Sequence, residues 1–192
     1  MGTIVISENV SLDGVVQDPT GGEGFRHGGW FGQFGGKDLE AWGKVAFQEA
    51  LRAEALLFGR RSYEYFAARW PSRSGEWADR LRDLPKYVVS SAPLAGPDWG
   101  NATAIRGDVV GEISNLKQEL DGEIVVYASR QLVRALMSHD LIDELRLTIY
   151  PVVLGAGDRL FEEISKKTPL RLVNASTIGQ DLALVTYEVV RE

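Results

Sequence analysis

The sequence predicts an α/β fold: a largely parallel sheet with helices on both faces and an antiparallel hairpin at the C-terminal edge. Two patterns carry this. Short apolar runs alternate with amphipathic stretches through most of the chain, the signature of successive βαβ units. The last two strand-like segments are joined by only Gly179-Gln180-Asp181, which predicts a hairpin. The length agrees, since 192 residues suit one domain spanning 1–192.

Thr3 to Val10 reads as the first strand. A glycine-rich stretch follows, with nine of the 21 glycines between Gly14 and Gly36. It also carries Phe25, Trp30, Phe31 and Phe34, more aromatics than a disordered linker holds. Long ordered loops are usually functional, so an active-site lid is expected, against the alternative of a loop pinned to the surface or to a partner subunit. Asp38 to Arg52 reads as a helix and Ala55-Leu56-Leu57-Phe58 as a buried strand. Ser62 to Trp70 reads as a helix stopped by Pro71, and Glu76 to Leu84 as another. Lys86 to Ser91 is a buried strand running into polar turn residues. Asp108 caps a helix through Leu120, whose stripe is Val109, Ile113, Leu116 and Leu120. Glu123 to Tyr127 is a further strand, and Ser129 suits the N-cap of a helix carrying Leu132, Val133, Leu136 and Met137. Glu144 to Pro151 alternates as a strand, and the hairpin comprises Leu170 to Ile178 and Leu182 to Val190.

Composition excludes several functions. No cysteine is present, which removes disulfides, thiolate zinc sites and cysteine nucleophiles; His27 and His139 alone cannot build a multi-histidine metal site. The net charge of −6 argues against a dedicated nucleic-acid binder. No apolar run approaches the ~20 residues of a membrane span, and the N-terminus enters a strand rather than a signal peptide, so a cytoplasmic protein is expected. Charge is uneven, however. Between Arg52 and Ser91 eight cations face five acids, leaving −9 for the remainder. A basic patch on an acidic protein suggests an anionic small ligand, or else a solvated helix face.

Ligands of such sheets bind at the carboxyl ends of strands, beside helix N-termini. Three turns qualify. In Phe58-Gly59-Arg60-Arg61-Ser62 the glycine permits close approach, the next helix offers free amides, and the guanidinium groups suit a phosphate. Ser90 and Ser91 end another strand; Ala128, Ser129 and Arg130 follow a third. Neither GxGxxG nor GxxxxGK[ST] occurs, which disfavours a standard Rossmann domain and a P-loop nucleotidase.

With these turns, the motifs Ser11-Leu12-Asp13-Gly14, Gly28-Gly29-Trp30, Leu141-Ile142-Asp143-Glu144-Leu145 and Tyr150-Pro151-Val152-Val153-Leu154-Gly155 carry a family resemblance. The chain resembles the dihydrofolate reductase superfold, within it the bacterial branch of the riboflavin biosynthesis reductase. The resemblance runs from about residue 3 to residue 190. It implies a dihydrofolate-reductase-like three-layer sandwich, NADPH as cofactor and a homodimer. It implies hydride delivery to a small heterocyclic (pterin-like or aminopyrimidine-like) or carbonyl substrate, as by 5-amino-6-(5-phosphoribosylamino)uracil reductase. By analogy Arg60 with Ser90 or Ser91 holds the 2′-phosphate, Ser62 and the backbone at Ala128 and Ser129 meet the diphosphate, and the nicotinamide lies by Gly14. Dihydrofolate reductases carry a proton-relay carboxylate on the first helix; here Asp38, Glu40 and Glu49 are on offer and none aligns. Arg69-Trp70-Pro71 stands where the riboflavin enzyme has Asp-Asp/Asn-Pro. Candidate catalytic groups are Asp13, which orients a ligand or makes an Asx-turn, Trp30, which stacks on a flat ring or anchors the lid, and Tyr150, which supplies a proton or is structural. The rival functions are a non-catalytic protein sequestering a planar ligand, and a flavin-binding protein.

Overall fold

Eight strands form one sheet in the order β4-β3-β2-β5-β1-β6-β8-β7. The computed structural model describes residues 1–162 and 167–191. In chain order the elements are β1 (Thr3–Ser11), α1 (Lys37–Arg52), β2 (Ala53–Gly59), α2 (Arg60–Ala67), α3 (Glu76–Asp83), β3 (Lys86–Val89), β4 (Ala102–Ile105), α4 (Val109–Glu119), β5 (Glu123–Tyr127), α5 (Arg130–Ser138), β6 (Glu144–Tyr150), β7 (Leu170–Ile178) and β8 (Leu182–Val189). The first six strands of the sheet order are parallel, while β8 runs antiparallel to β6 and β7 antiparallel to β8. The expected parallel sheet with its C-terminal hairpin is therefore present.

The period of two along each strand sorts side chains onto two faces. Val5, Leu56, Phe58, Val88 and Val125 face α1, α2 and α3, packing with Ala50, Tyr63 and Leu81. Ile4, Ile6, Leu57, Ile124 and Val126 face α4 and α5, packing with Ile113, Leu116, Leu132 and Val133. Covering both faces explains why the central strands read as continuous apolar runs. Among the described residues no helix is long and apolar enough to cross a membrane.

Several expectations shift. β4, an edge strand on β3, was not foreseen: four residues of modest hydrophobicity carry little signal. Helix α2 ends at Ala67 rather than Trp70, so Pro71 does not stop it; Ala68–Arg73 closes in turns through Trp70 N–H to Phe66 O and Arg73 N–H to Trp70 O. Asp108 caps α4 as expected, accepting from Gly111 N at 3.0 Å. Ser129 precedes α5 but makes no capping bond, because φ 65° turns its hydroxyl elsewhere. Asp38 accepts the amides of Gln180 and Asp181, tying the start of α1 to the hairpin turn.

Candidate active site

A cleft of about 1170 Å³ opens where β1, β2, β3 and β5 end. Nine of the ten residues expected to hold a cofactor line it: Gly59, Arg60, Arg61, Ser62, Ser90, Ser91, Ala128, Ser129 and Arg130. Ser129 joins the turns. Its Oγ accepts from Gly59 N and donates to Tyr127 O, both at 3.0 Å, while its N–H donates to Ser62 Oγ at 3.0 Å. Ala128 and Ser129 both adopt left-handed backbone, φ 50° and 65°, which costs an L-residue roughly 1–2 kcal/mol. Such strain marks functional turns, and the Ser129 bonds hold this one in place. Neither α2 nor α5 has a side-chain N-cap, so both present first-turn amides without a capping partner.

The charges around these turns are cationic and only partly neutralised. Arg60 lies 3.9 Å from Glu64, and Arg130 pairs with Asp158 at 2.6 Å. Arg61 and Arg106 line the cleft and no carboxylate of the described residues pairs with either. Ser90 spends its hydroxyl proton on Ala92 O at 2.6 Å, whereas Ser91 is exposed.

Beneath α1 the floor is acidic. Arg146 on β6 reaches Glu49 at 3.2 Å, Glu123 at 2.8 Å and Glu144 at 2.5 Å. Burial outweighs Arg146 at Glu49 and raises its carboxyl pKa; Ser7 and Tyr127 also hydrogen-bond to that carboxylate. Burial raises the Tyr127 phenol in turn, with Glu49 adding to it. Glu8 differs from these. It is 9% exposed, accepts only Asn9 N at 3.1 Å and forms no ion pair among the described residues. Burial pushes its pKa to about 8, so at neutral pH it is an acid holding its proton. Asn9 also accepts Trp42 Nε1 at 2.9 Å.

The three catalytic candidates lie outside the cleft lining. Asp13 accepts from Ser11 Oγ at 2.6 Å, Leu154 N at 3.1 Å and Gly155 N at 2.9 Å, clasping the end of β1 to the loop after β6. Desolvation opposes those bonds, yet together they hold its pKa at about 2, so it is ionised at neutral pH and stores no proton. Trp30 is fully buried, with Nε1 donating to Gln17 O at 3.0 Å. Its ring meets Tyr150 edge-on at 5.3 Å, and Phe31 and Phe34 complete a cluster around Tyr150. Trp30 therefore anchors the glycine-rich loop and cannot stack on a ligand. Tyr150 is buried, and burial with nearby Asp38 raises its phenol pKa, so it keeps its proton. Gly14, the tenth cofactor candidate, sits in the turn with φ 81°, giving its amide to Ser11 O and accepting Leu160 N. The same loop does contribute Val16, Gln17, Asp18, Pro19 and Thr20 to the cleft wall.

Sequence reasoning missed Glu8, Asn9 and the Glu49–Arg146 pair. A signal existed: Ser7-Glu8-Asn9 is a polar triplet inside a strand otherwise buried on both faces. The pairing of Glu49 with a residue 97 positions away left no local trace.

A nucleotide-sized cleft at the carboxyl ends of a parallel sheet, with a hairpin on one edge, defines a dihydrofolate-reductase-like α/β protein. The solved structures agree on the fold. A Shewanella sp. PV-4 protein assigned to riboflavin biosynthesis superposes with TM-score 0.75 at 22% identity, over 98% of this chain and 99% of that one. Enterococcus faecalis dihydrofolate reductase, complexed with NADP(H), gives 0.57 at 14% identity, over 97% and 96%. The chain matches the RibD C-terminal domain family over residues 2–184 and belongs to it. The Bacillus subtilis protein YwjB is similar, 29% identical over 175 residues, 91% of each chain.

Proposed function

We propose that this protein is an NADPH-dependent reductase of a small heterocyclic or carbonyl acceptor. The observation that carries it is the convergence of three strand-end turns on one cationic wall. Arg60, Arg61 and Arg106 would take the 2′-phosphate, with Ser91 beside them. The uncapped first turns of α2 and α5, with Ser62 and the Ala128–Ser129 backbone, would take the diphosphate. Ser62 Oγ accepts from Ser129 N and keeps its own proton to donate. Three cationic side chains and two sets of free amides fit a nucleotide with about four negative charges. The neutral first-strand neighbourhood beside Asn9 suits an uncharged ring.

When bound, NADPH supplies hydride. The chain's own part is to bind, orient and hold a proton. Glu8 holds that proton at its carboxyl at neutral pH, in a cleft walled by the Val16–Thr20 segment. It is our candidate for protonating the acceptor, a role that Asp13 and Tyr150 cannot fill from where they lie. Family relatedness also supports a homodimer. Val153, Leu172 and Val173 are exposed and available for such a contact, whereas buried Tyr150 is not.

The test is a paired titration of NADPH and NADH followed by tryptophan fluorescence. Preferential NADPH binding, then acceptor-dependent NADPH oxidation with pterin and aminopyrimidine compounds, is the expected result. Binding of neither nucleotide would overturn the proposal. A yellow protein that retains flavin through purification would favour the flavin alternative.

A further inference from the structure

One side chain of the cleft holds hydrogen-bond donors that the protein itself does not use. Asn9 stands near the carboxyl end of β1 and lines the cleft. Its Oδ1 accepts from Trp42 Nε1 at 2.9 Å. An indole N–H can only donate, so the atom turned to Trp42 must be the amide oxygen. Nδ2 is then turned away, carrying two N–H donors. The side-chain bond to Trp42 and the backbone bond to Glu8 leave both donors without an acceptor among the described residues. Nor is Nδ2 sealed in the core, because Asn9 is only half-buried and forms part of the cleft wall.

The orientation is held from behind. Phe31 meets the Trp42 ring edge-on with centroids 4.9 Å apart, and Trp77 meets it at 6.0 Å. These contacts, from the turn Trp30–Gln33 and from α3, fix the indole, so its N–H cannot follow a rotating amide. Turning the amide over would set donor against donor. At about 1–3 kcal/mol for a buried group left unmet, the observed orientation dominates. The neighbours on the same face of β1 behave otherwise. Ser7 and Tyr127 both hydrogen-bond to Glu49, and Arg146 is taken by three carboxylates. Those groups satisfy one another, and Asn9 stands outside their network.

We propose that Asn9 is a specificity-determining residue whose Nδ2 receives the carbonyl oxygen of a flat ligand lying against β1, and that Trp42 is its positioning residue. Trp42 acts here through its N–H and not through a ring face. A carbonyl oxygen offers two lone pairs to the donors, whereas a ring N–H in the same place would face another donor and be rejected. The proposal rests on the reductase reading, in which the carbonyl belongs either to the carboxamide of the nicotinamide or to the acceptor.

The experiment has two arms, each run on the parent, Asn9→Asp and Trp42→Phe, with circular dichroism to confirm folding. In Asn9→Asp one carboxylate oxygen still accepts from Trp42 and the other turns an acceptor to the cleft. The first arm titrates NADPH and its reduced 3-acetylpyridine analogue, which keeps the carbonyl and lacks the amide nitrogen. The parent should bind both alike. Asn9→Asp should hold NADPH, whose carboxamide can turn its NH2 to the carboxylate, and lose about tenfold for the analogue, the scale of one hydrogen bond made or opposed. The second arm follows N-methylquinolone and indole by ligand-observed NMR, with and without NADPH. If the carbonyl is the acceptor's, the parent should prefer the quinolone, Asn9→Asp should prefer indole, and Trp42→Phe, whose amide is released to rotate, should discriminate little. A change in the first arm alone assigns the carbonyl to the cofactor, and a change in the second assigns it to the acceptor. Unchanged selectivity in both arms, or no binding by any probe, would overturn the proposal. NADPH binding with both arms unchanged would leave the reductase reading standing. Quinolone selectivity without NADPH binding would end that reading and leave the role of Asn9 intact.

Discussion

Replacing Glu8 by glutamine should remove a pH dependence built into the folded state. The carboxyl is 9% exposed, and its pKa is displaced from an ordinary 4.5 to about 8 by burial. A raised native pKa means that the folded protein binds the proton more tightly than the unfolded chain. Stability is then full below the unfolded pKa and falls as pH rises through the native one. At about 1.4 kcal/mol per pH unit, the loss is about 3 kcal/mol by neutrality and about 5 kcal/mol in mild alkali. Glutamine keeps an oxygen for Asn9 N and cannot ionise, so the variant should lack this slope. Urea denaturation of both proteins from about pH 5 to about pH 9 isolates the term, because every other group is common to both. The difference between the two curves should grow with pH in favour of Glu8→Gln. Parallel curves would refute the reasoning. Glu8 would then be ionised and hydrated at neutrality, with no proton to give in the cleft.

Three further outcomes are expected. Arg60→Ala should weaken NADPH by about 1.5–3 kcal/mol in a fluorescence titration and leave NADH nearly unchanged; equal losses would remove Arg60 from the 2′-phosphate. Ser129→Ala removes the partner of Gly59 N and frees a left-handed turn. It should cost about 1–3 kcal/mol by chemical denaturation and weaken NADPH, and a variant as stable as the parent would contradict the linking role. Asp13→Asn should destabilise the protein by about 1–2 kcal/mol near neutrality, after allowance for partial exposure. Because the native pKa is depressed to about 2, that contribution is present above the ordinary 3.8 and lost on acidification, so the two denaturation curves should converge in acid.

The sequence revealed those parts of the molecule that repeat a local rule. Apolar runs gave β1, β2 and β5, the Gly-Gln-Asp connection gave the hairpin, and Asp108 announced its own helix. The three strand-end turns were legible because small and basic residues directly follow buried strands. β4 was not, since Ala102-Thr103-Ala104-Ile105 gains its strand character from pairing with β3. For Trp30 and Tyr150 the sequence leaves a chemical and a structural role both open, because an aromatic beside a ligand and an aromatic in a core look alike in one dimension. Their mutual contact, 120 positions apart in the chain, decides between them. The contacts of Trp77 with Trp42 and with Trp70 were hidden for the same reason: Trp42 sits on α1, Trp70 in the turns after α2, and Trp77 on α3.

That last arrangement bears on how relatives of this chain could diverge. The turns after β2 and β5 are inseparable from the sheet, since Ser129 bonds to both Gly59 and Tyr127. The segment from Ala68 to Gly75, which carries Arg69, Trp70 and Arg73, pairs with no strand. Apart from Trp70, which packs against the core, substitutions there cost the scaffold little. That part of the cleft wall, with Arg69 and Arg73, can therefore vary in a stretch of chain apart from the strand-end turns. One scaffold could carry many differently shaped clefts by exchanging one surface segment.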